Sequence, residues 1–255
     1  MHLILTGATG LVGSGVLDAM IKMKDISKIS IISRRPVQMA EDAKDPRINV
    51  IIHKDFESYD SDLLSKLKGA TGCVWALGIS QTQVGKEEYV KITKDYALAA
   101  STAFQTLASE QEPFNFVYIS GGGTTTQPGM FTALFARVKG ETELALAEMR
   151  KVNPLFHGSS IRAAFIDAAK HDAIKSYIPT QTFAIKATGA TLGPLIRCGM
   201  PQYWSPTADL GRFVTEMAMG KYKDQLKASN GIQMEGEFPI LENSAFRRLA
   251  GLDRK

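Results

Sequence analysis

The sequence is poor in the residues that mark several classes of protein. Among its 255 residues are two cysteines and four histidines, and basic residues exceed acidic ones by only four. The two cysteines, Cys73 and Cys198, lie far apart without a CxxC spacing. We therefore expect a reducing compartment, the cytoplasm, and no metal site.

Long apolar runs and massed basic residues are also missing. No hydrophobic stretch approaches the roughly 20 residues that span a bilayer, so we expect no membrane partner. Lysine and arginine are scattered in pairs rather than clustered, which argues against a nucleic-acid partner. An anionic small ligand is enough to account for the slight excess of positive charge. With 44% hydrophobic and 22% charged residues and no Pro- or Ser-rich linker, the chain is predicted to fold as a single domain over residues 1–255.

What is there is an alternation of short apolar runs with longer amphipathic ones. The pattern predicts strands over residues 3–6, 29–33, 49–53, 71–77, 114–120, 159–165 and 238–242. It predicts helices over residues 11–24, 86–109, 131–151, 183–197, 207–219 and 243–250. Such alternation is typical of an α/β protein with a doubly wound parallel sheet. Prolines interrupt the pattern after residue 165, so we expect a core of about residues 1–165 and a small C-terminal cap of about 166–255 in the same domain.

A glycine-rich turn joins the first predicted strand to the first helix. In this context one glycine permits a tight turn, one lets the backbone approach a pyrophosphate, and one allows close packing of helix on strand. The helix N-terminus adds amide donors. The turn therefore predicts a Rossmann fold with a dinucleotide site, although a plain turn before a packed helix is the alternative. The predicted contacts are Thr6, Gly7, Thr9, Gly10, Leu11, Val12 and Gly13.

The second predicted strand ends in two arginines where many dinucleotide sites carry an acid. Arg34 and Arg35 lie about 20 residues beyond the last glycine, where an acidic side chain would hold the adenosine ribose of NAD. A guanidinium is a planar fork of donors that suits a phosphate, so the pair favours NADP(H) as cofactor. Two solvated surface arginines are the alternative. Asp55 and Phe56, after the third strand, are predicted either to meet the edge and face of the adenine or to form a plain turn.

Three further motifs complete a resemblance to a known family. They are Ala76-Leu77-Gly78 after the fourth strand, Val138-Lys139-Gly140-Glu141 in a later helix, and Leu241-Glu242-Asn243 near the end. With the glycine turn and the arginine pair, they resemble the atypical short-chain dehydrogenase/reductase superfamily and, within it, the Tat-interacting-protein-like branch. The resemblance implies that Ala76, Leu77, Gly78 and Lys139 also contact the cofactor.

The resemblance also implies a catalytic set of serine or threonine, tyrosine and lysine. Lys139 matches the lysine, but the residue four before it, where the tyrosine belongs, is Phe135. A phenyl ring has no proton to transfer, and such a general acid typically contributes about 10² to 10⁴ in rate. Ser120 lies near the serine position, before three glycines. Thr124 and the two threonines after it offer further hydroxyls or a polar surface turn, and Thr124 and Phe135 are predicted to line the substrate pocket.

Another residue could carry the proton. Asp167 follows the sixth predicted strand, near the edge where ligands bind in such sheets, and is the candidate acid; a helix N-cap is the alternative. His157 and His171 stand in no recognisable pair and are predicted to be structural.

Three functions remain open on these residues. The first is an NADP(H)-dependent oxidoreductase of a small carbonyl or enone compound, in which water, substrate or an unidentified residue supplies the proton. The second is a redox-neutral isomerase or cyclase that uses Phe135 and the glycine-rich loop as an apolar pocket. The third is an NADP(H)-sensing regulatory protein with a protein partner. We expect a small-molecule substrate and a homodimer.

Overall fold

The computed structural model describes residues 1–179 and 193–253. Most of the helix predicted over 183–197 lies outside the described residues, and residues 193–199 are helical. The strands are β1 His2–Thr6, β2 Lys28–Ser33, β3 Ile48–Ile52, β4 Ala70–Trp75, β5 Phe114–Ile119, β6 Phe156–Arg162, β7 Phe165–Asp167, β8 Trp204–Pro206, β9 Ile232–Glu235 and β10 Phe238–Glu242. The helices labelled here are α1 Leu11–Lys22, α2 Gln38–Ala43, α3 Ser61–Leu67, α4 Lys86–Val90, α5 Tyr96–Phe104, α6 Leu134–Val152, α7 Thr207–Ala218 and α8 Asn243–Leu249.

Eight strands form one sheet in the order β3-β2-β1-β4-β5-β6-β10-β9. Every neighbouring pair is parallel except β10 and β9, which are antiparallel. The order reverses between β1 and β4, which is the switch point where ligands bind in such sheets. The predicted doubly wound α/β fold is therefore confirmed. Strands β7 and β8 form a separate two-stranded parallel sheet.

Both faces of the sheet are covered, and β1 shows how. All five of its residues are buried, as expected for a central parallel strand. Leu3 and Leu5 belong to the core on the α1 and α7 side of the sheet. Ile4 points the other way, into the aromatic core that contains Trp75 and Phe104. The alternation of neighbouring side chains along a strand therefore builds two cores from one apolar run.

Some predicted elements differ from the structure. The helix predicted over 86–109 is interrupted by a π-helical segment, Lys91–Asp95, and the α-helix beyond it ends at Phe104. The strand predicted over 159–165 begins three residues earlier and ends at Arg162, because the next two residues leave the sheet before β7 begins. Strand β9 has no predicted counterpart; it pairs with β10 across a two-residue connection that begins at Gly236, whose φ is 60°.

The described helices include none whose length and apolar character would let it cross a membrane. The longest described α-helix, α6, contains seven charged residues in the segment LFARVKGETELALAEMRKV. Its buried face packs on the sheet beside β6, and it delivers Phe135 and Lys139 to the carboxyl edge.

Candidate functional site

The glycine turn sits at the switch point between β1 and β4. Gly7 has a φ of 70°, and a Cβ there would strike the carbonyl oxygen of Ala76 at the end of β4. A Cβ on Gly13 would strike the carbonyl oxygen of Gly7, and the amide of Gly10 donates to that same oxygen at 2.9 Å. Backbone thus meets backbone on two sides of the turn, which leaves no room for a side chain at Gly7 or Gly13.

The N-terminus of α1 opens onto this turn. Gly10 is the N-cap residue, and no side chain of the described residues caps the helix. The first amides of a helix have no partner inside it, so those of Leu11, Val12 and Gly13 are available to an anion. The hydroxyl of Thr6 is buried beneath them and has no hydrogen-bond partner among the described groups. This arrangement can cradle a phosphate or pyrophosphate.

Arg34 and Arg35 follow β2 with their side chains exposed. Neither forms an ion pair with any residue that the structure describes. A cavity of about 210 Å³ lies beside Arg35 and is lined by Thr9 and Tyr177. The Tyr177 hydroxyl donates to Asp42 at 2.9 Å, which holds the tyrosine at this wall. Arg35 therefore lies beside the glycine turn, and neither guanidinium group has a hydrogen-bond or ion-pair partner among the described residues.

The prediction that Phe56 meets an adenine face is wrong. Its ring is only 1% exposed and lies in the aromatic core against Trp75 and Tyr96. Asp55 is exposed, and its carboxylate accepts a hydrogen bond from the amide of Glu57 at 3.0 Å. This contact is the plain turn predicted as the alternative to adenine binding.

Lys139 reaches the loop that follows β5. Its Nζ donates to the carbonyl oxygen of Ile119 at 3.2 Å and lies 5.8 Å from the centre of the Tyr118 ring. Burial lowers the pKa of Lys139 from 10.5 to about 8, against an opposing effect from the carboxylate of Glu143. The ammonium therefore exchanges its proton close to neutral pH.

Phe135 lies one helical turn before Lys139. Its amide donates to the side chain of Gln81 at 2.9 Å, and its ring tip lies against Gly123 in the same loop. Residues four apart share a face of a helix, so the ring and the ammonium both face the carboxyl edge of the sheet. The side of α6 where the family motif has a tyrosine thus carries a phenyl ring.

The candidate hydroxyls of this loop bond to each other. Ser120 is 3% exposed and its hydroxyl donates to Thr124 at 3.3 Å; Thr124 is 6% exposed. The amide of Thr124 also donates to the carbonyl oxygen of Gly121. Gly121, which follows Ser120 in the chain, lies near the lysine, because a Cβ built there would be 4.0 Å from Nζ of Lys139. The roles of Ser120 and Thr124 in catalysis and in the pocket remain predictions.

The carboxylate of Asp167 accepts hydrogen bonds from two side chains. Arg197 donates to its carboxylate at 2.7 Å, and the indole of Trp204 donates at 3.0 Å. Burial raises the pKa of Asp167, but these bonds and one from the amide of Ala169 outweigh it, so the pKa is lowered. The carboxylate is therefore poorly suited to donate a proton. It lies in β7 and residues 168–170 are not helical, so the helix N-cap alternative is wrong.

The histidines occupy structural positions. His171 is buried, and its ring bonds to Thr207 at 2.9 Å and to Asp18 at 3.0 Å. These bonds connect the segment after β7 to the first residue of α7 and to α1. His157 lies at the amino end of β6, away from the glycine turn, and burial and the charge of Arg150 lower its pKa.

The largest described cavity at the carboxyl edge includes Gly122 and Gly123 of the glycine-rich loop, but its other lining residues were not among the predicted site residues. Its volume is about 570 Å³, and it lies beyond the ends of β5, β6 and β10. The signal that could have revealed it is a charged residue at the last position of two neighbouring strands, Arg162 and Glu242. The lining residues are Gly122, Gly123, Arg162, Ala164, Phe165, Gln202, Tyr203, Glu242, Asn243 and Ser244.

Comparison with known proteins places this site in context. No protein-family model matches the chain. The chain is 34% identical over 241 residues to leucinostatins biosynthesis cluster protein T of Purpureocillium lilacinum, which covers 88% of this chain and 87% of that protein. It is 42% identical over 157 residues to botcinic acid biosynthesis cluster B protein 16 of Botryotinia fuckeliana, or 61% of this chain and 99% of that protein.

A more distant similarity extends to animals and to solved structures. Protein HTATIP2 of Rattus norvegicus is 24% identical over 146 residues, 57% of this chain and 56% of that protein. The structure of Bordetella bronchiseptica WbmF in complex with NAD+ superposes with a TM-score of 0.64 at 11% identity, covering all of this chain and 79% of that one. At that identity the superposition supports the fold alone.

Proposed function

The chain belongs to the atypical short-chain dehydrogenase/reductase superfamily, in the branch that includes the Tat-interacting protein, and from that premise we propose that it is an NADP(H)-dependent oxidoreductase of a small carbonyl or enone compound. The observation that carries the proposal is the pair of exposed arginines after β2, Arg34 and Arg35, of which Arg35 lines a cavity together with Thr9 of the glycine turn. The biosynthesis-cluster names of the two fungal relatives support a substrate from a biosynthetic sequence.

The residues of the site fit such a dinucleotide. The open amides at the start of α1 would hold the pyrophosphate, and the guanidinium groups would hold the ribose 2′-phosphate by charge-assisted hydrogen bonds. When bound, the cofactor supplies or accepts the hydride. Lys139 would hold the nicotinamide ribose through Nζ, and its lowered pKa lets it return or take a proton there near neutral pH. Single-domain organisation over residues 1–255 is part of the same proposal.

Proton delivery is the step that departs from the family pattern. Phe135 supplies none, and Asp167 is an acceptor fixed by Arg197. The proton that a reduced carbonyl requires would therefore come from water or from the substrate itself. Location in the cytoplasm remains a prediction, since similar fungal proteins are named mitochondrial.

Titration of the purified protein with NADPH and with NADH, followed by nucleotide fluorescence, tests the proposal. We expect NADPH to bind at least tenfold more tightly than NADH. Arg34→Ala and Arg35→Ala should each weaken NADPH binding by about 10- to 100-fold, since a hydrogen bond to a charged group contributes about 1.5–3 kcal/mol, and should leave NADH binding unchanged.

The matched control is Arg137→Ala. This arginine is also at the surface of the site region but donates to the carbonyl oxygen of Gly129. Its removal should not change the preference between the nucleotides. Equal affinity of the wild-type protein for both nucleotides would contradict the choice of NADP(H), and no binding of either would contradict the proposed function.

A redox-neutral isomerase or cyclase is the second candidate, and Phe135 is the observation that favours it. Its ring lies against Gly123 and makes an apolar wall where a proton donor would be needed for carbonyl reduction. The two candidates differ in stoichiometry. Turnover with one NADPH consumed per product supports the oxidoreductase, whereas turnover with the NADPH absorbance unchanged supports the isomerase.

A further inference from the structure

The cavity at the ends of β5, β6 and β10 has one charged group on its open wall. Glu242 is the last residue of β10, and its side chain is 37% exposed. The only other charged residue among the described lining is Arg162, the last residue of β6, whose side chain is 4% exposed. The guanidinium of Arg162 is therefore buried beneath the cavity surface, whereas the carboxylate of Glu242 is exposed in the cavity.

Arg162 is already committed to two carboxylates. It forms a bidentate pair with Glu143, at 2.6 and 3.2 Å, and donates to Glu242 at 2.8 Å through its remaining nitrogen. Glu143 is fully buried and also accepts from the hydroxyl of Ser160. Glu143 also interacts with the ammonium of Lys139, so the two carboxylates have two cationic neighbours, and the exposed member of the group is Glu242.

Only one oxygen of Glu242 is engaged. Oε1 accepts from Arg162, and within the described chain no donor reaches Oε2. An ionised carboxylate accepts hydrogen bonds and donates none. The ring of Tyr203, 55% exposed, lies on the same wall and adds an aromatic face, which attracts cations. The side-chain amide of Asn243 is already occupied, because its Nδ2 donates to the carbonyl oxygens of Gln202 and Trp204.

We propose that Glu242 determines substrate specificity in this cavity, and that the cavity selects a molecule presenting a hydrogen-bond donor, best of all a protonated amine, and discriminates against a carboxylate at that position. The proposal rests on the proposed function only in taking this cavity as the substrate side of the site. The cavity adjoins the loop that follows β5 through Gly122 and Gly123, and the latter contacts Phe135. A molecule anchored at Glu242 would therefore extend toward Phe135 and Lys139.

Three aromatic probes of similar size test the charge preference: benzylamine, benzyl alcohol and benzoate. Their dissociation constants are measured by ligand-observed NMR on the full chain with and without NADP+. We expect benzylamine to bind most tightly and at least tenfold more tightly than benzoate. Glu242→Gln, which keeps the shape and removes the charge, should reduce the amine-to-benzoate ratio at least tenfold. Glu242→Asp, which keeps the charge, should retain the preference.

Glu237→Gln is the matched control. Glu237 is also paired with an arginine, Arg150, at 3.0 Å, but lies at the amino end of β10, away from this cavity. Its removal should leave the ratio at the wild-type value. Benzoate binding as tightly as benzylamine, an unchanged ratio in Glu242→Gln, or equal loss in Glu242→Asp and Glu242→Gln would overturn the proposal. Thermal unfolding checks that each variant is folded.

The NADPH titration separates this proposal from the proposed function. A protein that binds no dinucleotide but retains the amine preference would disprove the oxidoreductase and support the cavity. A protein that binds NADPH and has no amine preference would be consistent with the oxidoreductase and would disprove the proposed role of Glu242.

Discussion

Phe135 and Lys139 sit one turn apart on α6 and have unequal chemistry. The phenyl ring contributes shape alone, while burial lowers the pKa of the Lys139 ammonium to about 8. In the family pattern the lysine acts on a tyrosine hydroxyl at the position of Phe135. Position 135 carries no hydroxyl here, so in the proposed function Lys139 would act on the cofactor ribose alone.

Restoring the hydroxyl tests this reading at a single position. Phe135→Tyr places a phenol one turn from Lys139 and should raise NADPH-dependent reduction of small carbonyl compounds by about 10²- to 10⁴-fold, the usual contribution of a general acid. Steady-state kcat and the dissociation constant of NADPH are measured together, and only kcat should change. Phe131→Tyr, at a side chain 96% exposed, is the control and should change neither. An unaltered rate in Phe135→Tyr would show that the missing hydroxyl does not limit reduction.

Lys139 also predicts a pH-dependent stability. Its pKa in the folded chain, about 8, lies below the 10.5 of an unfolded lysine. The protonated Lys139 therefore lowers the free energy of unfolding. This destabilisation is at its maximum below pH 8 and decreases as the pH rises from 8 to 10.5.

Lys139→Met should accordingly raise the free energy of unfolding of the cofactor-free protein at pH 7, by about 1–3 kcal/mol. The difference from wild type should shrink by pH 10. Urea unfolding at the two pH values measures it, with Lys151→Met, at an exposed side chain, as the control. A gain that grows with pH would contradict the assigned direction of the pKa shift.

At the scale of elements, the junction of β1, α1 and β4 depends on backbone contact. Gly13 brings the first turn of α1 against the carbonyl oxygen of Gly7, and Gly7 in turn meets Ala76 of the loop after β4. This is why the α1 amides face the switch point. The glycine spacing predicted from the sequence therefore has a direct steric basis in the fold.

Gly13→Ala should displace α1 from the turn. We expect a loss of about 1–3 kcal/mol in unfolding free energy, the usual cost of an added methyl group without space, together with at least tenfold weaker NADPH binding. Gly85→Ala is the matched control, since nothing lies within 4 Å of a Cβ there. Wild-type stability and NADPH affinity in Gly13→Ala would refute the steric account.

At the scale of the whole molecule, one buried ion pair joins three elements. Glu143 of α6 is paired with Arg162 of β6 at 2.6 Å, and Arg162 reaches Glu242 of β10. The same cluster stands behind the cavity wall, so the stability of the carboxyl edge and the charge of the cavity depend on the same groups.

Removing the buried carboxylate should be costly. Glu143→Gln leaves Arg162 in the interior with only Glu242 as a charged partner, and we expect the free energy of unfolding to fall by about 3–5 kcal/mol, the usual cost of breaking a buried pair. Glu237→Gln removes an exposed pair and should cost at most about 1 kcal/mol. Denaturant unfolding measures both. Equal effects in the two variants would mean that burial does not govern the strength of these pairs.

Much of the molecule could be predicted from patterns among residues close together in the sequence. The central strands, the glycine turn and the position of Lys139 could be predicted from the sequence because alternation of side chains and a turn's need for glycine are properties of a few consecutive residues. The fold class follows from them, whereas the family was indicated by the resemblance of the motifs at Ala76, Val138 and Leu241. Phe135 was visible as a departure for the same reason, since its spacing from Lys139 lies within one helical turn.

Other features depend on residues that are distant in the chain. Phe56 looks like a loop aromatic in sequence, and only the packing of Trp75 and Tyr96 around it makes it a core residue. Asp167 became an acceptor through Arg197, 30 residues away. The charge of the cavity arises where Arg162 bonds to Glu143, 19 residues before it, and to Glu242, 80 residues after it. Short-range periodicity in the sequence does not predict such contacts. Burial and charge at these positions depend on which strands and helices become neighbours in the fold.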